Sequence, residues 1–183
     1  MSRWTRRRTI RGVRHNIPVT YRVMTVCTGN ICRSPMAEIV LRDRFEAAGL
    51  DVVVDSTGVS DEEHGNPIDP RAAAALAGRG YARGDGHVAR QVTRADVGSR
   101  DLILAMTHHH ARRLEVLDPR ADVRLYRAFD PAAAGLAGHR LDIADPWFGG
   151  PAEFEDCLDQ IEAGADGVVA HVQAGLVRAG RTG

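Results

Sequence analysis

The sequence predicts an α/β protein: a single three-layer domain, with a four-stranded parallel sheet and helices on both faces. Three observations carry that prediction. Short β-branched or apolar runs alternate with segments of helical apolar period, the order that builds parallel sheets. The length of 183 residues, with 44% apolar and 26% charged side chains, suits one domain with a full core. The first strand also runs into a turn and then a helix start, and such sheets bind ligands at the carboxyl ends of their strands.

The elements follow in order. Tyr21-Arg22-Val23-Met24-Thr25-Val26 reads as the first strand. After the turn, Ser34 is a good N-cap and Pro35 a good first helical residue. The helix runs to Ala48, with Ala37, Val40, Leu41, Phe45 and Ala48 at helical spacing, and Gly49 ends it. Asp51-Val52-Val53-Val54-Asp55 is a short β-branched run, read as a buried strand. Residues 67–78 form a second helix, 101–106 a third strand, 107–117 a third helix and 122–126 a fourth strand. Residues 127–150, rich in Pro, Gly and Asp, read as a long loop with little regular structure, and loops of that length are usually functional. The last helix spans about 153–178, with Phe154, Leu158, Ile161, Ala165, Val168, Val172 and Leu176 on one face.

All 24 basic side chains are arginine. Without lysine there is no Walker-type phosphate lysine, no kinase strand lysine and no Schiff base. The formal net charge of zero hides an asymmetry: residues 1–19 carry six arginines and no acid, so the remainder is mildly acidic. Residues 1–19 are expected to be a basic, disordered tail, or to precede a later start, since Met24 could open the first strand. The domain is then 20–178, with a short tail at 179–183. No nucleic-acid or membrane partner is expected, although the arginine run leaves such a role open to the tail: the tail has no apolar periodicity and no secretory h-region, and nothing approaches the ~20 apolar residues of a membrane span. Three cysteines, two of them in one turn, make no disulfide framework and fit a reducing cytoplasm.

The turn Cys27-Thr28-Gly29-Asn30-Ile31-Cys32-Arg33-Ser34 carries the chemistry. Strand, turn and helix start aim backbone N–H groups and a positive helix end at an anion. A helix N-terminus and a nearby arginine favour the thiolate of a cysteine such as Cys27, and the Ser34 hydroxyl can donate to it. Arg33 offers a planar fork for two phosphate oxygens. Gly29 and Asn30 tolerate the left-handed backbone that a tight nest needs. The segment reads as an active site with Cys27 as nucleophile and Thr28–Ser34 as phosphate cradle.

From Cys27 through Pro35-Met36-Ala37-Glu38 the chain resembles the signature loop and following helix of the low-molecular-weight protein-tyrosine phosphatases. His87-Val88-Ala89-Arg90-Gln91 and Asp145-Pro146-Trp147-Phe148-Gly149 resemble that family's later motifs, and the resemblance covers about 21–178. It implies the phosphotyrosine phosphatase I-like fold with flavodoxin-like winding. It also implies hydrolysis of phosphotyrosine and aryl phosphates through a cysteinyl-phosphate, with no metal and no organic cofactor. The implied partners are tyrosine-phosphorylated proteins and a cognate tyrosine kinase; the oligomeric state is left open. Asp145 is implied as the general acid. Four Asp-Pro pairs occur, at Asp69, Asp118, Asp130 and Asp145, and the dipeptide alone cannot choose among them. Trp147 and Phe148 favour Asp145, since they could wall a slot for a substrate ring. His87, Asn30 and Glu38 are implied as loop support, and Cys32 as the second loop cysteine that traps an oxidised nucleophile as a disulfide.

Some positions depart from the family. Glu62, Glu63 and His64 stand just ahead of Gly65, where many members carry a rim aromatic, and Thr107 replaces a usual aspartate. His108-His109-His110 invites a metal, but successive helical residues point ~100° apart and cannot converge on one ion. A solvated helix start is expected there. Ile31 favours the tyrosine branch over the related protein-arginine phosphatases, which typically carry threonine. Arsenate reduction needs further cysteines, and only Cys157 lies beyond Cys32. The complete Cys27, Arg33 and Ser34 set speaks against a phosphate-binding pseudo-phosphatase.

Overall fold

Strand β1 (Tyr21–Cys27) lies inside the sheet, between β2 (Val52–Gly58) and β3 (Leu102–Ala105), with β4 (Val123–Leu125) beyond β3. The structure is a computed structural model; it describes residues 20–178 and Gly180, so the expected tails at 1–19 and 179–183 otherwise lie outside the described residues. All pairings are parallel: Tyr21 to Val52 through Cys27 to Gly58, Val23 to Leu102 through Val26 to Ala105, and Ile103 to Val123 through Ala105 to Leu125. The chain leaves β1 for one side and returns on the other. Strand order therefore switches at the carboxyl end of β1, where Cys27 stands.

Alternate residues of the strands feed two cores. Val23, Val54, Leu102 and Leu104 pack with α1 (Arg33–Ala47), α2 (Pro70–Gly78) and α5 (Pro151–Arg178). Met24, Val26, Ile103 and Ala105 pack on the other face with Val97 of α3 (Arg94–Gly98) and Leu114 of α4 (His108–Leu117). All seven apolar positions expected on the last helix are buried. Ala48 is exposed, as it caps the end of α1 rather than lying on its face. The run at 51–55 is not fully buried: Val53 is 45% exposed, because α4 packs over β3 and β4 and not over the edge strand β2.

Local chemistry explains the other differences. Helix α2 starts at Pro70, because the Asp69 carboxylate accepts the Arg71 N–H and caps it. The short α3 was not anticipated; Thr93 and Asp96 form its capping box. Residues 127–150 are less irregular than expected, with 3-10 turns at Tyr126–Phe129, Pro131–Ala133 and Gly138–Leu141. Buried anchors hold this stretch: the Tyr126 hydroxyl donates to Ile161 O at 3.0 Å, and Ile143 N donates to Met106 O at 2.9 Å. Among the described residues, no helix is long and apolar enough to cross a membrane.

Candidate active site

Helix α1 begins at Arg33, two residues ahead of the expected start, and no side chain caps it. Ser34 therefore lies in the first turn, and its hydroxyl meets the Cys27 thiol instead: Ser34 Oγ is 3.0 Å from Cys27 Sγ. Pro35 fits there because first-turn residues have no intrahelical acceptor for their N–H groups. The same property leaves the amides at this helix start to face an anion.

Asn30 organises the loop. It is the one described non-glycine residue with positive φ, at 63°, and its N–H donates to Cys27 Sγ at 3.3 Å. Its side-chain amide donates to Ser34 Oγ at 3.0 Å and Ser56 Oγ at 2.9 Å, while its Oδ1 accepts from Arg90 N at 3.0 Å. Because Asn30 donates to Ser34, the Ser34 hydrogen is directed at the sulfur. Ser56 in turn donates to the Glu38 carboxylate, which Arg42 neutralises. His87 Nε2 donates to Asn30 O at 2.7 Å, which fixes that nitrogen as the protonated one. Thus Asn30, Ser34, Glu38 and His87 form one satisfied network beneath Cys27. Gly29, expected to share the left-handed backbone, does not; a Cβ there would come 2.7 Å from Glu63 Cγ, so the Glu63 side chain would have to shift to admit it. Gly58 was not singled out in sequence, yet a Cβ there would sit 2.4 Å from Thr28 O.

Arg33 is only 4% exposed. Its Nη1 donates to Ile143 O at 3.1 Å and its Nη2 to Thr28 Oγ1 at 3.4 Å, and it pairs with the Asp145 carboxylate. Its Nε is buried with no protein partner, a donor that a ligand oxygen can use. The four Asp-Pro pairs prove to be one local motif. Asp69, Asp118, Asp130 and Asp145 each accept the N–H two residues on, at 2.8, 2.9, 2.8 and 3.3 Å. Asp145 alone of the four turns its other oxygen to Arg33.

Sequence reasoning missed His110 and Arg71. His110 is not part of a solvated helix start: it is 2% exposed, with Nε2 3.0 Å from Thr28 Oγ1 and Nδ1 3.0 Å from Thr107 Oγ1. Each ring nitrogen faces a threonine hydroxyl, which can donate or accept, so both nitrogens of a neutral ring are satisfied. Burial first, and then the Arg33 charge, lower its pKa to about 3, so the ring is neutral. Its spacing of four from the buried Leu114 was the available signal. His108 Nδ1 pairs with Asp142 at 2.7 Å, and His109 is exposed. Among the described residues, no group of three ligating side chains could hold a metal.

A profile of the low molecular weight phosphotyrosine protein phosphatases matches residues 22–178. The chain belongs to that family. It is 47% identical over 161 residues to a low molecular weight protein-tyrosine-phosphatase of Streptomyces coelicolor, which covers 85% of this chain and 95% of the relative. A protein tyrosine phosphatase of Entamoeba histolytica, solved with Hepes in its active site, superposes with a TM-score of 0.77 at 25% identity, covering 85% and 99% of the two chains. A YwlE arginine phosphatase with a phosphorylated active-site serine superposes at 0.70 with 28% identity, covering 83% and 95%. This low molecular weight phosphatase is thus a cysteine-based phosphatase on the four-stranded fold its sequence predicts.

The phosphatase's pocket above Cys27 and Arg33 holds about 240 Å³. Its walls include Trp147 and Phe148, which are 39% and 95% exposed, together with Glu62 and Glu63. A second pocket of about 290 Å³ opens on the far side of the network, by Glu38, Arg42, Asp55 and His87, but no cysteine lines it. All three cysteines are buried free thiols. Burial, and then the Asp69 carboxylate, push the Cys32 thiol far up. Burial pushes Cys157 up to about 12, against the pull of Arg33.

Proposed function

We propose that the chain hydrolyses phosphotyrosine in proteins, with Cys27 as nucleophile, Arg33 and the loop amides as phosphate clamp, and Asp145 as general acid. The observation that carries this reading is the meeting of Asp145 with Arg33 in the pocket floored by Cys27. Cys27 attacks phosphorus as the thiolate, to which Ser34 and Asn30 donate. The Arg33 fork and the backbone amides take the charge that builds on the equatorial oxygens. A phosphate on Arg33 competes with Asp145 for that guanidinium, so the carboxyl group is released toward the leaving oxygen. Freed from Arg33, the carboxylate takes up a proton from solvent, gives it to the departing phenolate oxygen to release phenol, then takes a proton from the water that cleaves the cysteinyl-phosphate. Trp147 and Phe148 flank the substrate ring.

A second reading, phosphoarginine hydrolysis, has Glu62 and Glu63 in its favour, since acidic walls suit a guanidinium. Ile31 stands against it. Turnover of matched phosphotyrosyl and phosphoarginyl peptides in the presence of EDTA separates the two. We expect the first to be hydrolysed, and Cys27→Ser to abolish it; faster phosphoarginine turnover overturns the choice. We further assign the chain to a reducing cytoplasm on the strength of its three unpaired cysteines, and opposite a tyrosine kinase because phosphotyrosyl substrates need one to form them. Peroxide converts Cys27 to a sulfenic acid, and Cys32 condenses with it to a disulfide and water. Cys32→Ser should leave turnover largely intact yet make peroxide inactivation harder to reverse with thiols; unchanged reversal overturns the redox role.

A further inference from the structure

Arg71 uses all three of its guanidinium nitrogens to tie two regions together. Its Nε and Nη2 grip both oxygens of the buried Asp69 carboxylate, at 3.0 and 2.8 Å. Its Nη1 donates to Trp147 O at 3.1 Å and to Gly149 O at 2.8 Å. The guanidinium carbon lies 4.6 Å from the centre of the Phe154 ring and 5.7 Å from that of Trp147. Asp69 is tied in turn to the nucleophile loop, since its backbone N–H donates to Ile31 O at 2.8 Å. Trp147 N donates to Asp145 Oδ1. A continuous path therefore joins the two loops: Ile31, Asp69, Arg71, Trp147, Asp145.

We propose that Arg71 is a positioning residue for proton donation, setting the loop that carries Asp145 at a fixed distance from the loop that carries Cys27. The inference rests on the reading of Asp145 as general acid. Its physical basis is the geometry of the side chain. A planar fork can hold a carboxylate with one edge and two carbonyls with another nitrogen, whereas an ammonium holds its partners from a single point. Proton transfer tolerates little error in placement, and a displacement of about 1 Å can cost about 10²-fold. Arg71 contacts neither Cys27 nor Arg33, so the anion cradle does not depend on it directly.

The test is a leaving-group series, read as kcat/KM, which reports the steps through phosphorylation of the enzyme. On phenyl phosphate, whose poor leaving group needs the proton, Arg71→Lys should lose about 10²-fold. On para-nitrophenyl phosphate, whose phenolate leaves readily, it should lose less than about 5-fold. The binding of inorganic phosphate should not weaken by more than about 2-fold, since Arg71 donates to no atom of the cradle and a looser Asp145 only frees Arg33 for the anion. In an Asp145→Asn background, Arg71→Lys should add less than about 2-fold on phenyl phosphate, because residues that act as a unit are not additive. Equal losses on both substrates, or a full second loss in the double variant, overturn the proposal. Should Asp145→Asn itself leave the leaving-group dependence unchanged, the acid reading fails and this inference with it; a steep Asp145→Asn beside a flat Arg71→Lys overturns the inference alone. Arg71→Ala, followed by thermal unfolding, reports the structural share separately.

Discussion

The two loops that meet in the pocket are built in opposite ways. The nucleophile loop from Cys27 to Ser34 has its polar side chains chained inward, from Cys27 through Ser34, Asn30 and Ser56 to Glu38, all buried. The loop from Asp142 to Gly150 is open to water along much of its length: Asp145, Trp147 and Phe148 are exposed, and its grip comes chiefly from Ile143 beneath and Arg71 at the side. The difference suits the work we propose for each. Donors for a developing phosphoryl charge act best when they do not reorganise, which rewards a rigid, satisfied nest. An acid that must admit a substrate and release a phenol is better held at a few points, and such segments belong to the low-stability end of a protein.

Breaking the rigid loop at its reactive atoms should have the largest effect. Cys27→Ser is expected to reduce kcat/KM on para-nitrophenyl phosphate by on the order of 10⁴-fold or more, and Arg33→Lys by about 10²- to 10³-fold. Lysine keeps the charge but not the fork. Near-normal turnover by either variant in a continuous absorbance assay would remove the basis of the comparison.

The open loop should respond more selectively. Asp145→Asn is expected to lower kcat/KM for phenyl phosphate by about 10²- to 10³-fold and to do much less to para-nitrophenyl phosphate. Asp130→Asn is the control. It has the same Asp-Pro turn, but its free oxygen lies by Arg127 and not by Arg33. If Asp130→Asn steepens the leaving-group dependence and Asp145→Asn does not, the acid has been placed on the wrong turn.

That pair also marks what was legible in sequence. Cys27, Arg33 and Ser34 could be read together because their chemistry lies within one contiguous turn. The four aspartates could not be separated locally, since all make the same turn and only tertiary contacts distinguish them. Arg71 and His110 escaped for the same reason: each draws its role from partners far along the chain, Trp147 and Gly149 for one and Thr28 for the other. The start of α1 was misjudged because a preference of serine for helix caps lost to a hydrogen bond with a thiol that no local rule includes.

Within the rigid loop, Asn30 tests whether backbone or side chain matters more. Asn30→Gly keeps the left-handed backbone and loses the bonds to Ser34, Ser56 and Arg90; we expect a loss of about 2–4 kcal/mol in urea unfolding. Asn30→Ala loses the same bonds and adds about 1 kcal/mol of left-handed strain. Equal stability of the two variants would mean that the loop relaxes at this position and is less rigid than the network suggests.

His110 extends the comparison to pH. Its folded pKa, about 3, lies below the ordinary 6.5. Between those values the unfolded chain binds a proton that the folded one refuses, so stability is complete above about 6.5 and falls as pH drops toward about 3. The slope is at most about 1.4 kcal/mol per pH unit. His171, also lowered by burial, acts in the same direction. Asp69 and Asp96 are raised by burial but held lower overall by their hydrogen bonds, so their effects come at more acid pH. Urea midpoints from pH 7 to 5 should therefore decline in the wild type and decline less in His110→Asn. Parallel curves would show that His110 does not refuse its proton.

The smallest effect should come from the most exposed part of the open loop. Phe148 is 95% exposed, so Phe148→Ala removes almost no buried surface and should change stability by less than about 0.5 kcal/mol. Its ring matters only once a substrate ring lies against it, and an aromatic pair of that kind is worth about 0.5–1.5 kcal/mol. KM for phenyl phosphate should thus rise by about 2- to 10-fold, with kcat and phosphate inhibition unchanged, because uniform binding is lost and nothing at phosphorus moves. A fall in kcat would instead mean that Phe148 helps to set Asp145, and that the open loop depends on more than Ile143 and Arg71.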